Sequence, residues 1–365
     1  MPERLADTVE IAATPERLRR PDLVCAVGIV SHGKWYDGED NVDVPDNVRN
    51  DKIRGDLILA NLPLYAQRGY RVLLVEGGSS PEFRRKLDEI AKDSNGLITI
   101  VDEELDDNRK PKGYGAARRQ VIKEAMQLKT GNNEPMETLI QIEPEKPLLD
   151  EDENGMDTIE ALALAIQNGA DFAISNRGIV TKSDYPIDGA PERPDENLCG
   201  LSPDHARSEA AFSRTVNRYL RNIGVISPDI PDIDWMGNRA IKNDPEVLAC
   251  FLREYRRNGF TPHLTDIEEI PLGDELYNGN PDKYASMLFL SMVEFFVKSK
   301  EKDWKFTSVN VPAKYKQWEH QTEFEKRDKD SIRKRRDQRT QIITEMIWGT
   351  QLILGTKAQN PFVRN

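Results

Sequence analysis

Short apolar runs alternate along the chain with longer segments in which apolar residues recur at helical spacing. The runs contain few polar residues, which is typical of strands buried on both faces of a sheet. Helical segments separate consecutive runs, and this order predicts a doubly wound, mainly parallel α/β sheet with helices on both faces. The five predicted strands span residues 23–30, 71–75, 97–101, 138–143 and 171–175.

Turn-forming residues dominate several of the other segments. Residues 34–52 are rich in Asp, Asn and Gly and are predicted to form a long surface loop. Residues 181–202 and 225–242 contain several prolines and are predicted to be irregular. The further predicted elements are helices over 53–68, 203–222, 245–258, 284–298 and 321–355 and a strand over 307–312.

The composition narrows the class of protein. Hydrophobic residues make up 38% of the 365 residues, which is enough for a sizeable core. A formal net charge of −12 is unfavourable for binding nucleic acid. Three widely spaced cysteines argue against a disulfide framework, and residues 1–20 lack the apolar segment of a signal peptide. Since no run of about 18 apolar residues occurs, we expect a soluble, cytoplasmic protein without a transmembrane segment.

The fourth predicted strand ends in two glutamates that flank a proline. Pro144 fixes the turn, so Glu143 and Glu145 can converge on one point beyond the carboxyl end of the strand. Ligands of open α/β sheets bind at that edge. Mg²⁺ is held by one or two carboxylates together with water and substrate phosphates, so the pair is a candidate metal site. The alternative is an acidic loop that binds nothing.

Two other predicted turns place polar residues at the same edge. Ser31 and His32 follow the first strand and are either substrate contacts or ordinary turn residues. Glu76, Gly77 and Gly78 follow the second strand, where a carboxylate can accept a hydrogen bond from a base or a ribose hydroxyl. Glycines there would let a ligand approach the backbone, although the segment also fits an ordinary tight turn.

A glycine-rich segment opens the helix after the third strand. Gly113 lets a ligand approach the helix start, and Arg118 can face a diphosphate or a base. A surface salt bridge of Arg118 fits equally well. The fingerprint G-x-G-x-x-G is absent after the first strand, which argues against a nicotinamide-dependent enzyme.

The loop around Trp235, Gly237 and Asn238 combines an aromatic ring with polar groups. It is a candidate contact for a sugar ring or an acceptor, and a tryptophan buried against the sheet edge is the alternative. Asp234 and Asp282 are candidate catalytic carboxylates, because a carboxylate can deprotonate an acceptor hydroxyl. For Asp282 a helix N-cap is the simpler interpretation.

Two late features carry charge. His320 would complete a metal shell with the two glutamates, or is a surface histidine. Residues 326–339 contain eight Lys and Arg residues. They form either a solvated helix face or a clamp for phosphate, an anionic acceptor or a membrane surface.

Taken in order, these segments resemble the GT-A glycosyltransferases, which use nucleotide-sugar donors. V-E-G-G-S-S at residues 75–80 is similar to the family's V-D-D-G-S-T, and G-Y-G-A-A-R-R-Q at 113–120 is similar to its G-x-G-x-A-R-N. The E-P-E segment stands where the family's metal-binding D-x-D closes a strand. The resemblance covers residues 23–320, and the helix-rich end with its late histidine resembles mannosylglycerate synthase-like retaining enzymes.

The resemblance implies a GT-A-like catalytic domain over residues 21–320, with a nucleotide-binding half over 21–150 and an acceptor half over 151–320. A polar lead-in (1–20) would precede it and a helical extension (321–365) would follow. The implied activity is transfer of a sugar from a nucleotide-diphosphate donor to a hydroxyl acceptor, with Mg²⁺ or Mn²⁺ as cofactor. Whether the chain forms a homo-oligomer is left open by the sequence.

The same resemblance implies roles for individual residues. Glu143, Glu145 and His320 would bind the metal, and Asp234 and Asp282 would serve catalysis. Because glutamate replaces aspartate in the acidic motif, the metal would sit differently or be absent. Without it, Arg118, Lys146 or the basic segment would offset the diphosphate charge. The rivals are a nucleotidyltransferase of the same fold and a non-catalytic nucleotide-sugar-binding protein. The implied contacts of the donor are Ser31, His32, Glu76, Gly77, Gly78, Gly113, Arg118, Trp235, Gly237 and Asn238.

Overall fold

The structure is a computed structural model, and it describes most of the α/β part of the chain. The described residues are 20–39, 44–109, 112, 114–146, 148–151, 155–177, 203–253, 286–311 and a discontinuous set between 339 and 354.

One mixed sheet organises the described residues. Its seven strands lie in the order β3-β2-β1-β4-β6-β5-β7. Strand β6 runs antiparallel to both of its neighbours, and the remaining strand pairs are parallel. The strands are β1 (Val24–Val30), β2 (Arg71–Glu76), β3 (Ile98–Asp102), β4 (Thr138–Gln141), β5 (Phe172–Asn176), β6 (Arg239–Lys242) and β7 (Phe306–Asn310).

Helices cover both faces of the sheet, and each face has its own apolar core. Along β1, Cys25 and Val27 point into the core that contains residues of α3, α5, α6 and α7, whereas Val24 and Ala26 point into the core that contains residues of α1, α2 and α4. This alternation follows from the two-residue period of a strand. The helices are α1 (Asp46–Gln67), α2 (Pro81–Asp93), α3 (Tyr114–Gln127), α4 (Thr158–Gln167), α5 (Pro203–Asn222), α6 (Pro245–Leu252) and α7 (Ser286–Lys302).

The prediction of a mainly parallel sheet covered by helices is confirmed, and three details differ from it. Helix α1 begins at Asp46, inside the predicted loop, because its first turns are polar and carry no apolar pattern. Strand β4 ends at Gln141, so the acidic turn begins sooner than expected. Strand β6 was not predicted, because its four residues acquire their structure from pairing with β4 and β5.

Other expectations lie partly outside the described residues. These include the lead-in up to residue 19 and the predicted start of the extension. Of the late residues that are described, Ile342 and Met346 pack into the core that contains α5 and α7. No described helix combines the length and apolarity needed to cross a membrane.

Candidate functional site

The sheet changes direction between β1 and β4. From β1 the chain continues to β2 on one side, while β4 lies on the other side. The carboxyl ends of two such parallel strands leave a crevice, which is where open α/β sheets bind ligands. A cavity of about 160 Å³ lies at this crevice. Its lining includes Gly28, Tyr114, Arg118, Gln141 and the segment Glu143–Glu145.

The two glutamates belong to one tight turn that is held from three sides. The Lys146 N–H donates to the Glu143 carbonyl over 2.9 Å, which closes the turn with Pro144 at its second position, where proline is favoured. From α1, Asn61 Nδ2 donates to the Pro144 carbonyl over 3.1 Å. From β1, Gly28 leaves the space that the proline ring fills, since a Cβ at residue 28 would be 2.9 Å from Pro144 Cγ. The sheet therefore fixes where the turn lies.

A lysine neutralises the first glutamate of this turn. Glu143 Oε2 is 2.6 Å from Lys146 Nζ, and 46% of the Glu143 side-chain surface stays accessible, so water partly screens the pair. Burial disfavours the ionised form, but the charges of Lys146, Arg118 and Arg177 outweigh it and lower the pKa of Glu143 to about 2. Burial and the negative charge of Glu143 raise the pKa of Glu145.

The chemistry of these side chains bears on the expected metal. Among the described residues, no group of three metal-ligating side chains occurs. Glu143 already has a cation as its partner, and the charges of Arg118 and Arg177 also act on it. A divalent ion at this carboxylate would have to displace Lys146 and would be repelled by both arginines. The pairing of Glu143 with Lys146 therefore disfavours a divalent ion at that carboxylate, and the metal expected from the sequence stays a prediction.

Two polar atoms at the cavity lack hydrogen-bond partners. Gln141 is 5% exposed and its Oε1 has no partner, and Arg118 Nε is buried without one. The Arg118 guanidinium lies over the ring of Tyr114, 4.5 Å from its centroid. Buried polar groups in native proteins are nearly always hydrogen-bonded, and a polar ligand that reoriented these two lining side chains would supply the missing partners. One of the atoms accepts and the other donates.

In the turn after β2, the carboxylate of Glu76 is bonded to neighbouring groups of the protein. Glu76 Oε1 accepts from the Ser79 N–H over 2.6 Å, and Oε2 pairs with Arg84 Nη1 at 3.3 Å. The Glu103 carboxylate packs against Gly77, since a Cβ there would be 2.0 Å from Glu103 Oε2, and Gly78 has a φ of 77°, which favours glycine. The turn after β2 lies at the carboxyl edge of the sheet, as predicted. Its internal contacts favour the interpretation as an ordinary structural turn.

The turn after β1 is joined to the turn after β2. The His32 N–H donates to Ser79 Oγ over 2.9 Å, and its ring packs edge-on against Phe83 with centroids 5.2 Å apart. Its Nδ1 is 3.4 Å from Asp51, and burial lowers the pKa of His32. Ser31 is exposed at the tip. Of the two predicted contacts in this turn, Ser31 is the one that the structure leaves accessible to a ligand.

Asp234 is part of a buried ion-pair network. Arg177, which follows β5, donates from Nε and Nη2 to the two oxygens of Asp234 over 2.7 and 2.8 Å. Nη2 also bonds Glu209 at 2.9 Å. The Asp234 side chain is fully buried in this network. This engagement favours a structural role for Asp234, and the catalytic role expected from the sequence stays a prediction.

The residues after Asp234 connect this network to the core. Trp235 is fully buried, and its Nε1 donates to Asn217 Oδ1 over 2.9 Å, which favours the alternative of a buried tryptophan. A Cβ at Gly237 would be 2.0 Å from the Ser175 carbonyl oxygen. The Asn238 N–H donates to Ser175 Oγ over 2.7 Å. This loop therefore ties β5 to β6 just beyond the cavity.

Three predicted site residues lie outside the described part of the chain: Gly113, Asp282 and His320. Sequence reasoning did not propose Gln141 or Arg177 as site residues. The signal for Gln141 is a polar residue inside an otherwise apolar strand, two positions before the acidic turn. Arg177 immediately follows a buried strand, as do the other polar residues at this edge.

No protein-family model matches the chain, and no curated protein matches it significantly. The fold and the site define the class at a coarser level. It is an α/β protein with a mixed, mostly parallel sheet and a cavity, lined by apolar and charged side chains, where the strand order changes direction.

Proposed function

We propose that this chain is a glycosyltransferase of the GT-A type, which moves a sugar from a nucleotide-diphosphate donor to a hydroxyl acceptor. The observation that carries the proposal is the cavity between β1 and β4. It brings the acidic turn together with Arg118 and Gln141, both of which have an unpartnered polar atom. The order of the motifs along the chain supports the same assignment.

The size and polarity of the cavity suit the reacting part of such a donor. A volume of about 160 Å³ is smaller than the roughly 300–1,000 Å³ of pockets that enclose whole drug-sized ligands. We therefore assign the diphosphate and sugar to the cavity and the nucleoside to the open edge near Ser31. Gln141 Oε1 would accept from a sugar or ribose hydroxyl, and Arg118 would donate to a phosphate oxygen.

The transfer breaks the bond between the anomeric carbon of the sugar and the terminal phosphate oxygen. Negative charge grows on the leaving diphosphate, and cationic groups aimed at that charge lower the barrier. Among the described residues, Lys146 pairs with Glu143 and Arg118 lines the same cavity, so these two cations are the candidates for that role. The acceptor hydroxyl gives up its proton. Because Asp234 is engaged by Arg177 and Asp282 lies outside the described residues, no general base is assigned.

Turnover of sugar nucleotides tests the proposal. The purified chain is incubated with UDP-, GDP-, ADP- and dTDP-sugars, and released nucleoside diphosphate is quantified by liquid chromatography. We expect slow release from one donor class, transferred to water when no acceptor is present. Arg118→Gln should abolish the release, whereas Arg85→Gln, which alters an exposed arginine on α2, should not.

Two other outcomes would contradict the proposal. Release of pyrophosphate from a nucleoside triphosphate and a sugar 1-phosphate would indicate a nucleotidyltransferase. Binding of sugar nucleotides without any turnover, with every acceptor class supplied, would indicate a binding protein.

A further inference from the structure

Positive charge gathers beside the acidic turn. Lys146 contacts Glu143 directly at 2.6 Å, and its side chain is only 15% exposed. Arg118 lines the same cavity, and the charge of Arg177 also acts on Glu143. The cations come from three elements: the turn itself, helix α3 and the end of β5. Carboxylates partly compensate them where they stand: Glu143 pairs with Lys146, and Asp234 and Glu209 pair with Arg177.

A fourth cation lies beneath the cavity. Arg239 begins β6 beside Gln141 of β4 and is 4% exposed. Its Nη2 donates to the Trp235 carbonyl over 2.7 Å, and its guanidinium lies 5.3 Å from the centroid of the Phe289 ring. Burial and the like charge of Arg118 lower the pKa of Arg239 to about 9. Arg239 and Arg118 therefore carry like charges near the same cavity, and an anion there would partly offset them.

A divalent metal and an anion would have opposite effects on this arrangement. A metal would add two positive charges where Lys146 and Arg118 already stand. A diphosphate would instead bring phosphate oxygens, which are strong partners for ammonium and guanidinium groups. Arg118 lines the cavity, and its guanidinium would donate to such an oxygen.

We propose that this chain neutralises the diphosphate of its donor with Lys146 and Arg118 and needs no divalent metal to do so. On binding, Lys146 exchanges its bond to Glu143 for one to a phosphate oxygen. Glu143 and Glu145 are then left to accept hydrogen bonds from sugar hydroxyls. The inference rests on the proposed function, because it presupposes that a nucleoside diphosphate enters this cavity.

Calorimetric titration of nucleoside diphosphates tests the inference. UDP, GDP, ADP, CDP and dTDP are titrated into the full chain in excess EDTA and then in excess Mn²⁺. We expect one of them to bind in EDTA, with an affinity within about three-fold of that in Mn²⁺, which is less than 1 kcal/mol. Lys146→Gln should weaken binding in EDTA by about ten-fold or more, because a charge-assisted hydrogen bond is lost.

Two further variants make the result specific. Lys146→Arg keeps the charge and should retain most of the affinity. Lys302 is an exposed lysine at the end of α7 and pairs with Glu246 of α6. Lys302→Gln should leave the affinity for the nucleoside diphosphate unchanged. Thermal unfolding shows whether the Lys146→Gln variant is folded. If it is not, the affinities of the unaltered chain in EDTA and in Mn²⁺ decide whether the diphosphate binds without a metal.

The outcomes separate the inference from the proposed function. Binding that requires Mn²⁺ and survives Lys146→Gln would overturn the inference and leave the glycosyltransferase proposal standing. If no nucleoside diphosphate binds with or without Mn²⁺, the proposed function fails and the inference fails with it.

Discussion

The contact between Gly28 and the acidic turn gives the sharpest test of how the site is built. Gly28 lies inside β1, and a Cβ at this position would be 2.9 Å from Pro144 Cγ, 3.1 Å from Leu74 Cδ2 and 3.3 Å from Ile142 Cγ1. Ordinary carbon–carbon contacts are about 3.5–4.0 Å. Gly28→Ala must therefore push the proline ring away by roughly 0.6 Å or more.

Two opposing contributions set the size of the effect on stability. Overpacking a core typically destabilises a protein by about 1–3 kcal/mol. Replacing glycine by alanine within a strand recovers about 0.5–1 kcal/mol of backbone entropy. We expect the free energy of unfolding to fall by about 1–2 kcal/mol. We expect the affinity for nucleoside diphosphate to fall at least about ten-fold, because misplacing a site group by 1 Å can lower activity about a hundred-fold.

Urea denaturation and ligand titration measure both effects. Gly131→Ala is the matched control, since a Cβ at residue 131 would meet nothing within 4 Å. This control should change stability by less than about 0.5 kcal/mol and should not affect binding. If Gly28→Ala matched the unaltered chain in stability and in affinity, the packing of Pro144 against β1 would not position the turn.

Three other substitutions test separate parts of the structure. Gln141→Met removes a buried amide whose Oε1 has no partner, so we expect the free energy of unfolding to rise by about 1 kcal/mol. Titration should show weaker ligand binding. Unchanged affinity would show that Gln141 is not part of the site. Asp234→Asn keeps an acceptor but removes one of the two carboxylates that hold Arg177, so we expect a loss of about 1–3 kcal/mol in denaturant titrations. A stable variant that has lost only turnover would instead support a catalytic role. Burial raises the pKa of Asp157 to about 6. Between about pH 4 and pH 6 the folded state therefore keeps a proton that the unfolded state releases. The contribution of this group to the free energy of unfolding is largest below about pH 4 and is lost as the pH rises to about 6. Asp157→Asn keeps the N-cap of α4 but does not titrate. From about pH 4 to pH 6 the variant should gain up to about 3 kcal/mol in unfolding free energy relative to the unaltered chain. A difference independent of pH would contradict the raised pKa of Asp157.

Local pattern was sufficient for most of the fold. The apolar runs that became β1 and β2 are almost entirely buried, so their composition carries the signal directly. Ser80 followed by Pro81 is a local signal for a helix start, and the Ser80 side chain caps α2 by accepting from the Phe83 N–H over 3.3 Å. Strand β6 had no such signal, since its burial depends on strands far away in the sequence.

The site was predictable in position but not in its electrostatics. The exit of β4 and the proline place the acidic turn at the edge of the sheet, as the sequence indicates. The roles of neighbouring residues depend on distant partners: Asp234 is bonded by Arg177, which lies 57 positions earlier. The ion pair between Lys146 and Glu143 spans only three residues, but whether the lysine turns towards the glutamate or towards solvent is decided by packing around the turn.

A crystal structure of the chain with its preferred nucleoside diphosphate is the decisive measurement. We expect diphosphate oxygens in the cavity at the carboxyl ends of β1 and β4, within hydrogen-bonding distance of Arg118 and Lys146, with the Lys146–Glu143 pair separated. A nucleotide bound elsewhere on the chain, with that pair intact and Arg118 still over Tyr114, would contradict it.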